Sequence, residues 1–235
     1  MSPNSPSPRT PPSGRVRATG RRRARRGALT VCALALSTAL AGCGAGAPGS
    51  SSAPAQPASA RSVETGFDGA ELPGPPSAPA FRLLDIATGR PVTLGSYRGR
   101  VVVLTFLYST CGAPCVLIAQ QVRGALDELE ERHLPQPAAL IVSVDPRADT
   151  PARARRFLAR VSLTGRARYL TGTISTLRRV WHDYEIQPAS AGRAAFEEFA
   201  SVVLIDASGR ERVLYQSEQL TPEGISHDIG KLEGG

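Results

Sequence analysis

Cys111 and Cys115 are the two residues of this sequence whose type and spacing most directly permit chemistry. They enclose Gly-Ala-Pro in a C-x-x-x-C segment. Joined, they make a disulfide open to thiol exchange; reduced, they offer two soft sulfur ligands that suit Cu(I). In a regular helix, residues four apart hold their Cβ atoms about 5–6 Å from each other, wider than the roughly 3.5–4.5 Å of a disulfide. Closure therefore needs Cys111 in a loop ahead of a helix. Gly112 permits a tight turn there, and Pro114 suits the first helical turn. Cys115 then sits among unpaired helix N–H groups, which favour a thiolate. The plainer reading is a static disulfide, but a loop this small removes little chain entropy and stabilises little. A short, exposed loop points instead to a bond that opens and closes.

The other two cysteines belong to a leader. An Arg-rich segment ends at Gly27, and the apolar run Ala28–Ala41 follows, ending in Leu40-Ala41-Gly42-Cys43. The run is too short for a permanent membrane span, which takes about 20 apolar residues, but matches a signal-peptide core. Its end resembles a bacterial lipobox, with cleavage before Cys43 and lipid attached to that cysteine, while Cys32 is discarded. The formal charge of +8 comes from the same leader, which carries eight of the 28 basic residues and no acidic one. Removing them leaves 20 basic against 20 acidic residues, so nucleic acid is not an expected partner. Outside the cytoplasm, Cys111 and Cys115 are the cysteines left, in a compartment where disulfides persist.

These elements predict how the pair is positioned. Residues 43–78 read as a flexible Gly/Ala/Ser/Pro-rich tether, after a signal peptide over 1–42 and before a folded domain over 79–235. Phe81–Leu84 and Pro91–Leu94 flank Thr88-Gly89-Arg90 as an N-terminal hairpin. Val101–Tyr108 is a continuous β-branched and aromatic run, a central strand buried on both faces. Ile118, Val122, Ala125, Leu126 and Leu129 form one helical stripe after the cysteines. A strand over Ala139–Val144, a helix opened by Thr150-Pro151, a strand at Tyr169-Leu170 and a helix with Leu177, Val180 and Trp181 follow. A second hairpin (Ser201–Asp206, Arg212–Tyr215) and a helix capped by Thr221-Pro222 complete an α/β sandwich with a central mixed sheet.

Phe106-Leu-Tyr-Ser-Thr-Cys111-Gly-Ala-Pro-Cys115 resembles the signature of the Sco/SenC family. Ser143-Val-Asp-Pro-Arg-Ala-Asp-Thr-Pro151, Tyr169-Leu-Thr-Gly172 and Leu204-Ile-Asp-Ala-Ser-Gly209 match further landmarks in the same order. The resemblance implies a thioredoxin-like fold, membrane tethering, and copper delivery to cytochrome c oxidase, with thiol-disulfide activity in some members. It implies as partners subunit II of the oxidase or another extracytoplasmic thiol protein, for a monomer held to the cell membrane by its lipid.

The family's copper site adds a histidine six residues before the leucine of its L-I-D segment. Here that position is Glu198, a hard carboxylate poorly matched to Cu(I). His182 and His227 fall on the outward faces of their helices, and His133 follows the first helix at its far end. Asp145 reads as a strand-end residue, Asp149 as an aid to Thr150 in capping, Trp181 and Tyr184 as core. Two functions remain: a Cu(I) chaperone using both thiolates, and a copper-independent thiol-disulfide oxidoreductase using the same pair. Cys43→Ala should release the protein from the membrane fraction or leave its leader uncut; normal processing with full membrane retention would refute the lipid anchor.

Overall fold

The computed structural model describes residues 66–192, 196 and 200–234. The signal peptide, Cys43, Glu198 and most of the expected tether lie outside the described residues. Among those described, the strands are β1 (Ala70–Glu71), β2 (Arg82–Asp85), β3 (Pro91–Thr93), β4 (Val102–Leu107), β5 (Ala138–Ser143), β6 (Ala167–Thr171), β7 (Ser201–Ile205) and β8 (Glu211–Gln216). The helices are α1 (Ala113–Glu131), α2 (Pro151–Arg160), α3 (Ile174–Asp183) and α4 (Pro222–Glu233). They build one mixed sheet in the order β1-β8-β7-β4-β5-β6-β2-β3.

The centre of that sheet follows from composition. β4 and β5 are buried at every position and run parallel, from Val102 opposite Ala138 to Leu107 opposite Ser143. Such apolar, largely β-branched runs have no polar face to show to water, so both faces are covered by helix. β6 continues the parallel set beside β5, while β7 pairs antiparallel with β4. The N-terminal hairpin β2–β3 inserts beside β6.

Register decides which helix covers which face. Thr105, Ile141 and Tyr169 stand in one row across β4, β5 and β6. Phe157 of α2 meets the Tyr169 ring edge-on, and Ala119 and Val122 of α1 close a small void with Thr105 and Ile141. Both helices thus lie on this face, with α4 packed on α1. At that crossing Gly124 is required: a Cβ there would come 2.8 Å from the Pro222 ring. Phe106 points the other way and stacks at 5.3 Å on Tyr184, just after α3. The stripe expected on α1 is buried throughout, as the 3.6-residue period demands. Thr150, Thr173 and Thr221 each accept a backbone N–H of their own helix's first turn, the caps that threonine supplies.

The tether boundary expected at residue 78 is corrected. Residues 66–78 join the domain: β1 pairs with β8, and Ser77 bridges Arg210. Buried Asp228 on α4 accepts from the Asp68 and Gly69 N–H groups at 2.8 and 3.0 Å and from the Tyr215 hydroxyl. Phe67 lies against Lys231 and Arg212. Local sequence hides this, because Pro73, Gly74, Pro75 and Pro76 have no periodicity and their neighbours are fastened by side chains about 160 residues away.

Asp228→Ala strands two N–H groups and a hydroxyl and should cost about 3 kcal/mol. The melting temperature should fall by roughly 10 °C, with early proteolysis near residue 70. An unchanged melting curve would show that this clasp contributes nothing.

Candidate thiol and metal site

The reactive loop begins where β4 stops at Leu107, at the carboxyl edge of the parallel strands, where loops rather than ladder bonds set side-chain positions. The Cys111 N–H donates to the Tyr108 carbonyl at 3.2 Å. Gly112 then takes φ +89° and ψ −139°, a conformation that L side chains strongly resist. This turn lets Ala113 start α1 at once, with Pro114 in the first turn. Cys111 and Cys115 end with Cα atoms 5.9 Å apart and joined as a disulfide.

Two features differ from the sequence reading. Both sulfur residues are buried, at 1% and 0% exposure, while Ser109, Thr110, Gly112, Ala113 and Pro114 around them are open to solvent or partly so. Just before the loop, Tyr108 is buried and the Phe196 ring meets it edge-on at 5.2 Å. The helix-terminal donor also falls on the other sulfur. The Cys115 N–H, an unpaired amide of the first turn, points to Cys111 Sγ at 3.2 Å. Negative charge on Cys111 is therefore the one this helix end favours.

Asp149 does more than the capping expected of it. Thr150 caps α2 through its own Oγ1, which accepts from the Arg153 N–H. The buried Asp149 carboxylate accepts from the Ser109 N–H at 2.7 Å, the Ser143 hydroxyl at 2.5 Å and the Tyr169 hydroxyl at 2.8 Å. It thus fixes the backbone two residues before Cys111. Burial, and after it the charge of Asp149, pushes the Tyr169 hydroxyl well above its ordinary pKa, so Tyr169 stays a proton donor. The signal in the sequence was Ser143-Val-Asp-Pro-Arg-Ala-Asp149, but its spacing does not reveal that the carboxylate turns toward β4. Asp145 serves as a strand-end residue, accepting the Ala148 N–H at 3.1 Å. Trp181 is buried, donating its Nε1–H to the Ser143 carbonyl at 3.0 Å.

No histidine accompanies the cysteines among the described residues. His133 lies beyond the far end of α1, whose 19 residues span about 28 Å. The His182 side chain is 88% exposed. His227 sits on α4 between Asp68 and Asp228, at 3.1 and 3.0 Å. The Glu198 position lies outside the described residues. Two thiolates alone form a soft pair that fits Cu(I), and no further ligand joins them among the described residues.

The SCO1/SenC family model matches residues 70–233. The chain belongs to that family. No curated protein matches the sequence, but solved structures do. BsSco, a member of the Sco family of cytochrome c oxidase assembly proteins in which a disulfide switch was identified, is 19% identical with a TM-score of 0.59; the match covers 70% of this chain and 98% of BsSco. ScoI of Arabidopsis thaliana with copper bound is 17% identical with a TM-score of 0.55, over 66% and 96% of the two chains. The thioredoxin domain of a thiol-disulfide oxidoreductase from Bacteroides vulgatus is 16% identical with a TM-score of 0.51, over 68% and 97%. The fold is thioredoxin-like, and copper is held by relatives within the family.

Asp149→Ala removes the acceptor for three donors and should cost about 3 kcal/mol. The Ser109 and Cys111 amides should also lose protection against hydrogen exchange before the rest of β4. Protection retained at both amides would show that Asp149 does not hold the loop.

Proposed function

We propose that this protein is a membrane-tethered, extracytoplasmic Sco protein that takes Cu(I) on the Cys111 and Cys115 thiolates and passes it to the copper centre of cytochrome c oxidase. The observation that carries this reading is the placement of both sulfurs, within bonding distance, at the start of α1. Copper-bound relatives of the same fold support it, as do the lipobox and tether ahead of the domain. Reduction opens the bond and leaves two sulfurs on the carboxyl edge of the sheet. Loading then releases any thiol protons and leaves a Cu(I) dithiolate. With Glu198 in place of the family histidine, the third position is poorly served, and the metal is readily surrendered.

A second reading has its own observation. The Cys115 N–H on Cys111 Sγ makes Cys111 the better leaving thiolate in exchange, and Thr110 and Gly112 on either side of it are open or partly open to solvent. A partner thiolate attacks Cys115 Sγ and Cys111 leaves as the thiolate held by that N–H, giving a mixed disulfide. A second partner thiolate resolves it, so the partner is oxidised to a disulfide and this chain gains two electrons as a dithiol.

Competition of the reduced protein against a Cu(I) chelator separates the readings. The native protein should bind one Cu(I), and Cys111→Ser or Cys115→Ser should abolish it. Glu198→His should tighten binding by about tenfold or more (tenfold being about 1.4 kcal/mol) and add an imidazole nitrogen to the electron spin-echo spectrum of the Cu(II) form. Absence of Cu(I) binding by the native dithiol would defeat the chaperone reading and leave the oxidoreductase.

A further inference from the structure

The chain is formally neutral from Cys43 onward, but its charge is not spread evenly over the fold. From Asp145 to Asp183 it carries nine arginines against three aspartates. Arg166 is paired with Asp127 and Glu130, and Arg168 with Asp85. α2 is the extreme case. Arg153, Arg155, Arg156 and Arg160 are all exposed, its ten residues include no acidic one, and none of the four forms an ion pair among the described residues. A helix that only needed solubility would mix signs, since i, i+4 pairs of opposite charge stabilise it and like charges repel.

These arginines line a groove. Arg153, Arg156 and Arg160 lie three and four residues apart, hence in one row, and with Phe157 they border a channel of about 590 Å³ that reaches Ser109 and Thr110. At that end the buried Ser109 hydroxyl has no hydrogen-bond partner among the described residues, although a buried polar atom without one is costly. Thr110 adjoins Cys111. The groove thus leads from a row of arginines with no ion pair among the described residues, past the Phe157 ring, to the Ser109 hydroxyl two residues before Cys111.

We propose that this groove is where the partner protein docks, and that the docked segment is an acidic stretch of polypeptide flanking the partner's own cysteine. This rests on the reading that Cys111 and Cys115 act on a partner protein, by copper transfer or by thiol exchange. Arginine forks match carboxylates in pairs, and a row of them steers an acidic segment toward the loop before contact. A lipid surface fits less well: it meets protruding side chains and does not follow a groove to a buried bond.

The test uses three synthetic cysteine peptides of equal length, with Asp/Glu, Ser/Gly or Lys flanks. Each reduces the oxidised protein, and mixed disulfide is quantified by mass spectrometry after acid quench. The acidic peptide should react about tenfold faster than the neutral one at low salt and the basic peptide more slowly, with the differences vanishing at high salt. Arg153→Glu/Arg156→Glu should abolish or invert the acidic-to-neutral ratio; Glu at 153 still suits α2, because it completes a capping box with Thr150. Arg90→Glu/Arg132→Glu, the same charge change at the opposite edge of the sheet, should keep most of it. Equal rates for all peptides, a ratio unmoved in the α2 variant, or equal loss in both variants would overturn the proposal.

A second measurement keeps the two ideas apart. Fluorescence anisotropy of a labelled acidic peptide without cysteine reads docking alone and should show weaker binding to the α2 variant. A disulfide that neither peptides nor dithiothreitol reduce would defeat the exchange reading, while the anisotropy still decides the groove. Arginine-dependent binding to phosphatidylglycerol vesicles, without binding of the acidic peptide, would assign the row to the membrane and refute peptide docking.

Discussion

The Asp149 carboxylate is the interaction on which the geometry of this molecule turns. It lies in the loop between β5 and α2, yet its hydrogen bonds go to the backbone after β4, to the last residue of β5 and to a tyrosine on β6. A charged group so buried is tolerated only when fully hydrogen-bonded, and here each donor comes from a different element. The three central parallel strands are thereby tied together at the edge where the chain must turn into the CxxxC loop. The bonds hold Ser109, and the strained turn at Gly112 then has one direction in which to start α1.

That constraint explains how a reactive pair can be both buried and usable. Cys115 is on the inward face of α1, packed with Ile118 and Ala119 against the sheet, whereas Cys111 is on the loop. The Cys115 N–H toward Cys111 Sγ gives the freed sulfur an electrostatic partner from the helix end. Once reduced, a two-sulfur pair of this kind matches Cu(I) in softness. For the Cu(I) transfer proposed above, the hard carboxylate of Glu198 at the family histidine's position would suit release.

The N-terminal residues 66–78 show the converse arrangement, a segment ordered by distant groups. Asp228 and Tyr215 receive Asp68 and Gly69, and β1 completes the sheet edge beside β8. Residue 66 therefore enters the fold on the α4 side, where Asp68 and His227 meet. The CxxxC loop lies at the other end of α1.

Much of the architecture was legible in the sequence because it depends on local period and composition. β4 was marked by an unbroken apolar run, α1 by a stripe repeating every three to four residues, and α2 and α4 by Thr-Pro at their starts. The candidate pair was legible too, since cysteine at a strand-to-helix junction carries its meaning in its spacing. What local sequence did not contain was anything set by distant groups. β1 needed Asp228, and the role of Asp149 needed the ends of β4, β5 and β6 to come together. Charge divides the same way: neutrality from Cys43 onward follows from counting residues, but the arginine row beside Thr110 exists only because the fold sets α2 next to the loop. Period and composition act between near neighbours along the chain; burial and polar pairing are decided by which distant segments meet.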